Sequence, residues 1–382
     1  MPVEFFPLSG ANVWHRREEQ MHLRTVVGVV ELTVWHGQDA QDKHWGCPIR
    51  ELWALRPHQQ ISPVLEQRLA FTATATSSYQ EAALLAENWG CKISASTVHQ
   101  LAQRLGLKAE QQTQARLKQV PVESQPKRKP SELAVLMADG WLARFRGLGW
   151  GMKKTNKDRV EWHEIKVGIF YRQEQAAQTQ GGRRVLDDKL VVHWQGEPLE
   201  LGRRLHWEAL RAGLARAKET LVLGDGSPWI WNMAADRWPQ ARQLLDFYHA
   251  SQHLWQLGRA IYGENDPKTK PWVEQRLHQL RHGLEQSVFK RIAALKVPRG
   301  ERGKAARKEQ GYFAGQAHRM NYEEIADRGW SIGSGPVEST CRQSQCRFKR
   351  PGQFWTKVGF RNLCALDEAR RNNHWDELWS SN

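Results

Sequence analysis

The sequence contains no apolar segment long enough to cross a membrane. No run approaches the ~18 consecutive apolar residues that a spanning helix requires. The amino terminus, MPVEFFPLSG, lacks the basic and apolar regions of a secretory signal. We therefore expect a cytoplasmic protein, associated with the nucleoid when bound to DNA, that does not bind membranes.

Cysteine is also scarce, and its spacing excludes two kinds of cross-link. The chain has five cysteines, and no two of them stand in the Cys-x-x-Cys spacing of zinc knuckles and redox pairs. An odd, dispersed set gives neither a disulfide framework nor a complete zinc site. We expect reduced thiols at Cys47, Cys91, Cys341, Cys346 and Cys364.

Acidic residues are outnumbered by basic ones. The chain carries 41 Asp and Glu against 56 Lys and Arg, a formal net charge of +15. Such a surplus favours a polyanionic partner, because binding a phosphate backbone releases condensed counterions. The charge is spread through helical stretches rather than collected in a tail, which favours a DNA-tracking surface over a merely basic protein. Double-stranded DNA is the expected partner.

Length and composition divide the chain into four regions. At 382 residues the chain exceeds one average domain. No clear pattern organises residues 1–76, whereas residues 77–107 predict a helix-turn-helix DNA-binding region. Residues 108–131 are polar, Gln-rich and basic and are interrupted by prolines, which is typical of a linker. Residues 132–382 predict an α/β catalytic domain.

The helix-turn-helix rests on capping residues and helical periodicity. Serines at 77 and 78 can cap a helix over 79–89, Gly90 can end it, and a serine at 94 or 96 can cap a second helix through Leu105. A hairpin used only for packing stays open as an alternative, because the turn is longer than usual. The face opposite the apolar stripe gives four candidate DNA-binding residues: His99, Gln100, Gln103 and Arg104.

Apolar segments in the last region predict a mixed sheet. Three strand patterns come first, a helix over 205–218 follows, and a fourth strand then returns beside the first. This order is the one that a ribonuclease H-like mixed sheet needs, so the fold class is α/β. An all-helical insertion is expected at about 250–328, before a last helix that begins near Gly335 or Pro336. The five strands are predicted at 133–138, 164–171, 189–194, 220–224 and 242–247.

Three carboxylates suit phosphodiester chemistry. Asp139 and Asp225 each follow an apolar strand and precede a glycine, and Glu338 lies on the last helix. An isolated Asp-Gly pair is more typical of a turn, but two of them at neighbouring strand ends, with a late Glu, fit a catalytic site. Strand cleavage and transfer use two hard cations. We expect the three residues to be catalytic and to bind two Mg²⁺ ions, for which Mn²⁺ can substitute.

Polar, basic and aromatic residues surround these carboxylates in the sequence. Asp246 and His249 follow the fifth predicted strand and are expected to support the site. A basic and aromatic segment follows Glu338, which favours phosphate contact over an ordinary solvated face. Its candidate DNA-binding residues are Arg342, Arg347, Lys349, Arg350 and Trp355.

Three segments in this order resemble the ISKra-type insertion-sequence transposases. They are residues 224–232 (GDGSPWIWN), 245–250 (LDFYHA) and 332–339 (IGSGPVES). The resemblance implies an Asp-Asp-Glu catalytic domain with Asp139, Asp225 and Glu338 as its triad, and it places a [Cys or Asp]-x-x-His motif on residues 246–249. One departure is that relatives carry a cysteine-rich stretch upstream of the helix-turn-helix, where this chain keeps only Cys47.

The sequence therefore predicts a DNA transposase of a bacterial insertion sequence. It would bind terminal inverted repeats and target DNA as a homo-oligomer and catalyse metal-dependent strand cleavage and strand transfer. Two alternatives remain. One is a catalytically inactive, domesticated DNA-binding regulator, and the other is a ribonuclease H-like nuclease without strand transfer.

Overall fold

The chain forms two compact units. The first comprises residues 1–111 and 358–370, and the second comprises residues 112–357 and 371–382. The sequence divided the chain differently, because it gave no sign that a late segment belongs with the amino-terminal region. The computed structural model describes residues 13–39, 43, 45–53, 55–56, 58–119, 131–152, 159–178, 184–186, 188–213 and 217–379.

The first unit begins with an antiparallel hairpin followed by helices, in a region for which the sequence gave no clear pattern. The hairpin turns at Gly28, whose φ of 116° favours glycine. A third, short strand pairs with the second, and the apolar side chains of Met21, Leu23 and Val34 form a small core. The elements are β1 (Val13–Thr25), β2 (Gly28–Asp39), β3 (Trp45–Gly46), α1 (Pro48–Leu52), α2 (Pro63–Ala75), α3 (Tyr79–Asn88) and α4 (Ala95–Lys118).

Helices α3 and α4 form with the predicted caps, but α4 is longer than predicted. The Ser78 hydroxyl accepts from the Glu81 N–H at 3.1 Å, and the Ser94 hydroxyl accepts from the Thr97 N–H at 3.1 Å. The helix continues to Lys118 because Ala109 extends its buried stripe. The predicted linker over 108–131 is therefore helical in its first part, and its residues 120–130 lie outside the described part of the chain.

The second unit contains a five-stranded mixed sheet. Its spatial order is β10-β9-β4-β5-β8, with β5 antiparallel to both of its neighbours and β9 parallel to both of its neighbours. All five strands were predicted, and the fourth returns beside the first as expected. The strands are β4 (Leu133–Arg146), β5 (Val160–Arg172), β6 (Ala176–Gln178), β7 (Arg184–Leu186), β8 (Leu190–Trp194), β9 (Glu219–Gly224) and β10 (Arg242–Leu245), of which β6 and β7 form a separate small hairpin.

The prediction that the first strand of this sheet ends at Asp139 is wrong. Strand β4 runs on to Arg146, and Asp139 and Gly140 pair with Val167 and Lys166 of β5. The Asp-Gly pair does not turn the chain because the long antiparallel ladder with β5 continues through it. Beyond Gly140, buried and more exposed side chains alternate, which is the pattern of a strand with one covered face.

Helices cover this sheet and fill the predicted insertion. The helix predicted over 205–218 instead begins at Pro198, which suits a first helical turn, and ends at Arg211. Residues 247–327, which the structure describes throughout, contain helices and turns without a strand. The helices are α5 (Pro198–Arg211), α6 (Pro228–Arg237), α7 (Phe247–Tyr262), α8 (Thr269–Arg281), α9 (Glu285–Ala293), α10 (Glu301–Gln316), α11 (Tyr322–Asp327), α12 (Gly335–Phe348) and α13 (Lys357–Arg371).

Helix α13 supplies the late segment of the first unit. A side chain at Gly106 of α4 would collide with the carbonyl oxygen of Asn362, which a Cβ would approach to 2.1 Å. The two helices therefore cross closely at a glycine. Among the helices that the structure describes, none is both long and apolar enough to span a membrane.

Candidate active site

The two predicted aspartates stand next to each other in the sheet. Strands β4 and β9 are parallel and pair as far as Met137 opposite Leu223, so Asp139 and Asp225 follow two residues later on neighbouring strands. Burial raises the pKa of Asp139, and the negative charge of Asp225 raises it further. The two carboxylates therefore interact electrostatically in a partly buried place.

Local hydrogen bonds hold each of these carboxylates. Asp139 Oδ1 accepts from the Gly140 N–H at 2.7 Å. Asp225 accepts from the Ser227 N–H at 2.8 Å and from the Ser227 hydroxyl at 3.1 Å. Between them Gly226 adopts a φ of 97°, which a residue with a side chain rarely does. The turn after β9 thus fixes Asp225 before α6 begins.

The helical insertion contacts the same turn through α10. The Tyr312 hydroxyl donates to the Asp225 carbonyl oxygen at 3.0 Å, and the Gln316 amide donates to the Gly226 carbonyl oxygen at 3.1 Å. Burial, together with the charges of Asp225 and Glu309, raises the pKa of Tyr312 above its usual value. Sequence reasoning missed both donors, because α10 reaches the turn from far along the chain.

A histidine and a glutamate support Tyr312 from the side. His253 Nδ1 lies 2.5 Å from a carboxylate oxygen of the buried Glu309. The His253 ring stacks on Tyr312 with ring centroids 3.6 Å apart. The pair between α7 and α10 therefore keeps the Tyr312 ring against the Asp225 turn.

Asp246 connects three parts of the site. Its fully buried carboxylate caps α7 by accepting from the N–H groups of Tyr248 and His249, at 2.5 and 2.9 Å. It also accepts from the Ser334 N–H, immediately before α12. Its own N–H donates to the Gly224 carbonyl oxygen at 2.8 Å, next to Asp225. Asp246 thus joins the end of β9, the start of α7 and the start of α12.

His249 and Cys341 lie close to Asp139. The positive charge of His249 and a hydrogen bond from Cys341 both lower the pKa of Asp139, against the larger effect of burial. Burial raises the pKa of Cys341, and the negative charges of Asp139 and Glu338 raise it further. Cys341 therefore lies within reach of both carboxylates. The sequence predicted His249 near the site, but for Cys341 it predicted only a reduced thiol.

Glu338 lies in the first turn of α12, as predicted. Its Oε1 accepts from the Ser334 hydroxyl at 2.9 Å, and its Oε2 lies 3.9 Å from the Arg342 guanidinium. Arg342 is one helical turn later and is 81% exposed. The Glu338 carboxylate is thus held at the helix amino terminus and flanked by a solvent-facing cation.

The type of ligand at this site suits a hard divalent cation, but the carboxylates are not gathered around one point. Carboxylate oxygens are the ligands that Mg²⁺ prefers. Among the residues that the structure describes, no three His, Cys, Asp or Glu side chains are grouped so as to hold a metal ion together. Asp139 and Asp225 come together, whereas Glu338 is engaged with Ser334.

Two of the predicted DNA-binding residues after Glu338 are buried, which corrects their expected exposure. The Trp355 backbone bonds to Arg144 and Arg146 beside β4, and its indole N–H donates to the Phe348 carbonyl oxygen at 2.7 Å. The Arg347 guanidinium lies 5.8 Å from the Trp355 ring centroid, in the interior. Three of the predicted residues remain at least partly exposed: Arg342, Lys349 and Arg350.

The predicted recognition face of α4 is partly engaged within the first unit. His99 and Gln100 are exposed. Gln103 donates to the Gly359 carbonyl oxygen at 3.1 Å, and Arg104 lies 2.8 Å from the Glu66 carboxylate. Two of the four candidates on α4 are therefore exposed, and the His99 ring also packs edge-to-face on Tyr79, with ring centroids 5.1 Å apart.

Comparison with known proteins identifies a family. Residues 12–375 match the model of UPF0236, described as an uncharacterised protein family. This protein belongs to UPF0236. The family identified is thus not the ISKra-type transposases that the sequence motifs resemble, and that resemblance stays a hypothesis. No curated protein matches the UPF0236 chain.

Two solved structures are weakly similar to this UPF0236 protein. The Drosophila P element transposase strand transfer complex aligns with 81% of this chain and 92% of its own, at 10% identity and a TM-score of 0.38. The crystal structure of NurA aligns with 75% of this chain and 65% of its own, at 10% identity and a TM-score of 0.12.

Proposed function

We propose that this UPF0236 protein is the DNA transposase of a bacterial insertion sequence, with a ribonuclease H-like catalytic domain. The observation that carries the proposal is the pairing of β4 with β9, which brings Asp139 and Asp225 together on the central strands of a mixed sheet. The strand order, with an antiparallel second strand and a parallel fourth strand beside the first, supports the ribonuclease H-like assignment. Glu338 enters from the covering helix α12.

Each residue of the site has a proposed task. The carboxylates of Asp139 and Asp225, with Glu338 as a third ligand, would hold the divalent cations. When bound, two Mg²⁺ ions would activate the attacking oxygen and stabilise the leaving oxygen. Asp246 positions the elements that carry Asp225 and Glu338, and His249 balances the negative charge beside Asp139. Mn²⁺ is expected to replace Mg²⁺.

The electrostatics of the carboxylate pair support cation binding. Burial and the charge of Asp225 raise the pKa of Asp139, so the charged form of Asp139 is less favourable in the metal-free protein than in water. A divalent cation bound by both carboxylates would relieve this repulsion and favour the charged form.

DNA binding is proposed on two further surfaces. His99 and Gln100 are exposed on α4 and suit contact with a terminal inverted repeat in the first unit. The exposed Arg342 suits phosphate contact beside Glu338, and Arg350, which follows the end of α12, offers a second exposed cation. Pairing two transposon ends would require a homo-oligomer assembled on DNA.

Cleavage of DNA from the flanks of the protein's own gene tests the proposal. The full chain is incubated with Mg²⁺ and this DNA, and strand cuts are mapped at nucleotide resolution. We expect cuts at inverted repeats, and joining of the resulting 3′ ends to target DNA. Asp139→Asn, Asp225→Asn and Glu338→Gln should each reduce cleavage by at least about 10³-fold while leaving end binding intact, because the substitutions remove ligand charge with little change in shape.

The matched control is Glu264→Gln, which removes a carboxylate that is largely exposed in the insertion. It should cut like the wild type. Cleavage that survives in all three site variants would contradict the assignment of the site. Specific binding without cutting by the wild type would favour a regulator, and cutting without strand joining would favour a nuclease of the same fold.

A further inference from the structure

One face of the β4–β5 hairpin is open to solvent beyond the active site. After Gly140 the side chains of Trp141, Ala143 and Phe145 are buried, while those between them turn to the opposite face. On that face Arg144 lies opposite Trp162 of β5. The hairpin therefore has one covered face and a second face that is partly exposed, where the Arg144 guanidinium also donates to the Arg350 carbonyl oxygen.

Two arginines and three aromatic rings contact one another along this second face. The Arg144 guanidinium lies 5.9 Å from the Trp162 ring centroid and 5.1 Å from that of Phe354. The Phe354 ring lies 4.8 Å from the Trp150 ring, and Arg146 lies 5.3 Å from Trp150. These contacts order the row Trp162, Arg144, Phe354, Trp150 and Arg146, which we name the hairpin face.

The hairpin face exposes several large apolar side chains to solvent. Trp162 is 54% exposed and Trp150 is 40% exposed, and beside them Leu148 is 89% exposed. A contiguous set of large exposed apolar side chains marks an interaction site. The rings are held by their arginine neighbours, so they present flat, pre-positioned surfaces to a partner.

The charge around the hairpin face selects the class of partner. Residues 142–152 and 159–162, which the structure describes, contain three basic residues, Arg144, Arg146 and Arg159, and one acidic residue, Glu161. Aromatic rings interleaved with arginines suit a single nucleic acid strand, because unpaired bases stack on rings while guanidinium groups contact phosphates. In a duplex the bases are already stacked on one another and cannot use the rings in this way.

We infer that the hairpin face binds single-stranded DNA, stacking unpaired bases on Trp162 and Trp150. The inference rests on the proposed function, for which it supplies a place to hold a strand that has separated from its partner at a transposon end. Five residues of β4 lead from Asp139 to Arg144, roughly 17 Å of extended strand. The side chains at positions 139 and 144 point to opposite faces of β4, so the bound strand would lie on the face of the sheet opposite the Asp139 carboxylate.

Binding of a fluorescent oligothymidine to the full chain tests the inference, with fluorescence anisotropy as the readout. The oligonucleotide has about 20 nucleotides, longer than the roughly 4–16 nucleotides that single-strand sites occupy. EDTA is present, so that no cleavage can occur. Trp162→Ala should weaken binding about tenfold, the loss expected for one stacked base, and Trp162→Phe should restore most of it. Arg146→Ala should lower the slope of log affinity against log salt by about 0.7, one phosphate contact.

The control is Trp53→Ala, which removes a tryptophan that is also 40% exposed but belongs to the first unit. It should bind the oligonucleotide like the wild type. Unchanged binding in both Trp162→Ala and Trp150→Ala would overturn the inference. An equal loss for a blunt duplex, or a change in self-association alone, would also overturn it, since the face would then contact phosphates only or a second protein. If these binding changes occur but the wild type never cuts DNA, the proposed function fails and the inference stands.

Discussion

The surroundings of Asp139 disfavour its charged form, which the proposed cation site would require. Most buried carboxylates of a stable protein are neutralised by a basic side chain. Asp139 instead faces a second carboxylate, and the Gly140 N–H, Cys341 and His249 only partly offset the effect of burial on its pKa. This arrangement keeps a carboxylate whose charged form is disfavoured by its surroundings.

Asp139→Asn should stabilise the metal-free protein. A carboxyl whose pKa is raised on folding binds more protons in the folded than in the unfolded state, so its ionisation lowers stability as pH rises from its usual pKa of about 3.9 through the raised value. At pH 7 the substitution should raise the melting temperature of the second unit by about 2–4 °C, which corresponds to roughly 1 kcal/mol. Thermal unfolding with EDTA measures this change.

Saturating Mg²⁺ should reverse the order of stability, because a ligand stabilises only the protein that binds it. The wild type should then melt above Asp139→Asn. A variant that is less stable than the wild type in EDTA across pH 5–8 would show that Asp139 is a purely structural residue.

At the scale of secondary structure, the insertion is tied to the site through α10. Its residues Glu309, Tyr312 and Gln316 are three and four positions apart, so they share one face of the helix. That face supports the turn of Asp225 by two hydrogen bonds and by the stacking of His253 on Tyr312. The helical insertion thus stabilises the turn that carries Asp225.

Tyr312→Phe should weaken the support of the Asp225 turn, because it removes the hydroxyl of Tyr312 and keeps the aromatic ring. Loss of one hydrogen bond to the Asp225 carbonyl should cost about 0.5–1.5 kcal/mol. We expect the Mg²⁺ concentration needed for half-maximal cleavage to rise by up to about tenfold, with a smaller change in the rate at saturating Mg²⁺. Tyr262→Phe, which removes a hydroxyl elsewhere in the insertion, is the control. Equal Mg²⁺ dependence in all three proteins would mean that Tyr312 only fills space.

Whether an element could be predicted from the sequence depends on whether local residues or tertiary contacts set its bounds. Strands β9 and β10, the caps at Ser78 and Ser94, and the start of α12 were predictable because each has a local signature of apolar runs, cap residues or an early proline. The continuation of β4 through Asp139 and Gly140 was not, since it depends on the ladder with β5 rather than on local preference. Local propensity gives way to tertiary pairing at such positions.

The candidate site residues could be predicted only where they lie beside a local sequence signature. Asp139, Asp225 and Glu338 could be proposed because apolar strands and a helix start are visible in the sequence, although β4 continues past Asp139. Their catalytic role stays a prediction. Cys341 was missed although it lies three residues after Glu338, on the same helix face, which is a signal that could have been used. Tyr312 carries no local signal, because its partner Asp225 is 87 residues away along the chain.

At the scale of the whole molecule, the first unit is completed by a segment from the other end of the chain. Within that unit the largely buried Arg361 of α13 lies 2.8 Å from Glu110 of α4 and 2.8 Å from Glu368. Burial alone would lower the pKa of Arg361, but the charges of Glu368 and Glu110 raise it above its usual value. One guanidinium therefore neutralises two carboxylates from opposite ends of the chain.

Arg361→Met should destabilise the first unit. It removes the guanidinium that Glu110 and Glu368 share, and breaking a largely buried ion pair in this way costs about 3–5 kcal/mol. Limited proteolysis should then cut within residues 1–111 at a denaturant concentration that leaves the wild type intact. Arg259→Met is the control, since its partner Glu264 is exposed and such pairs contribute about 0–1 kcal/mol. Resistance equal to the wild type would mean that α13 does not stabilise this unit.

The close crossing of α13 and α4 at Gly106 also sets an order of events during protein synthesis. Residues 1–111 leave the ribosome long before residues 358–370, so the first unit must wait for nearly the whole chain to be translated before its packing is complete. A prematurely terminated product would lack α13 and therefore the Arg361 guanidinium that contacts Glu110. The completed first unit would thus accumulate only as part of a polypeptide that also carries Asp139, Asp225 and Glu338.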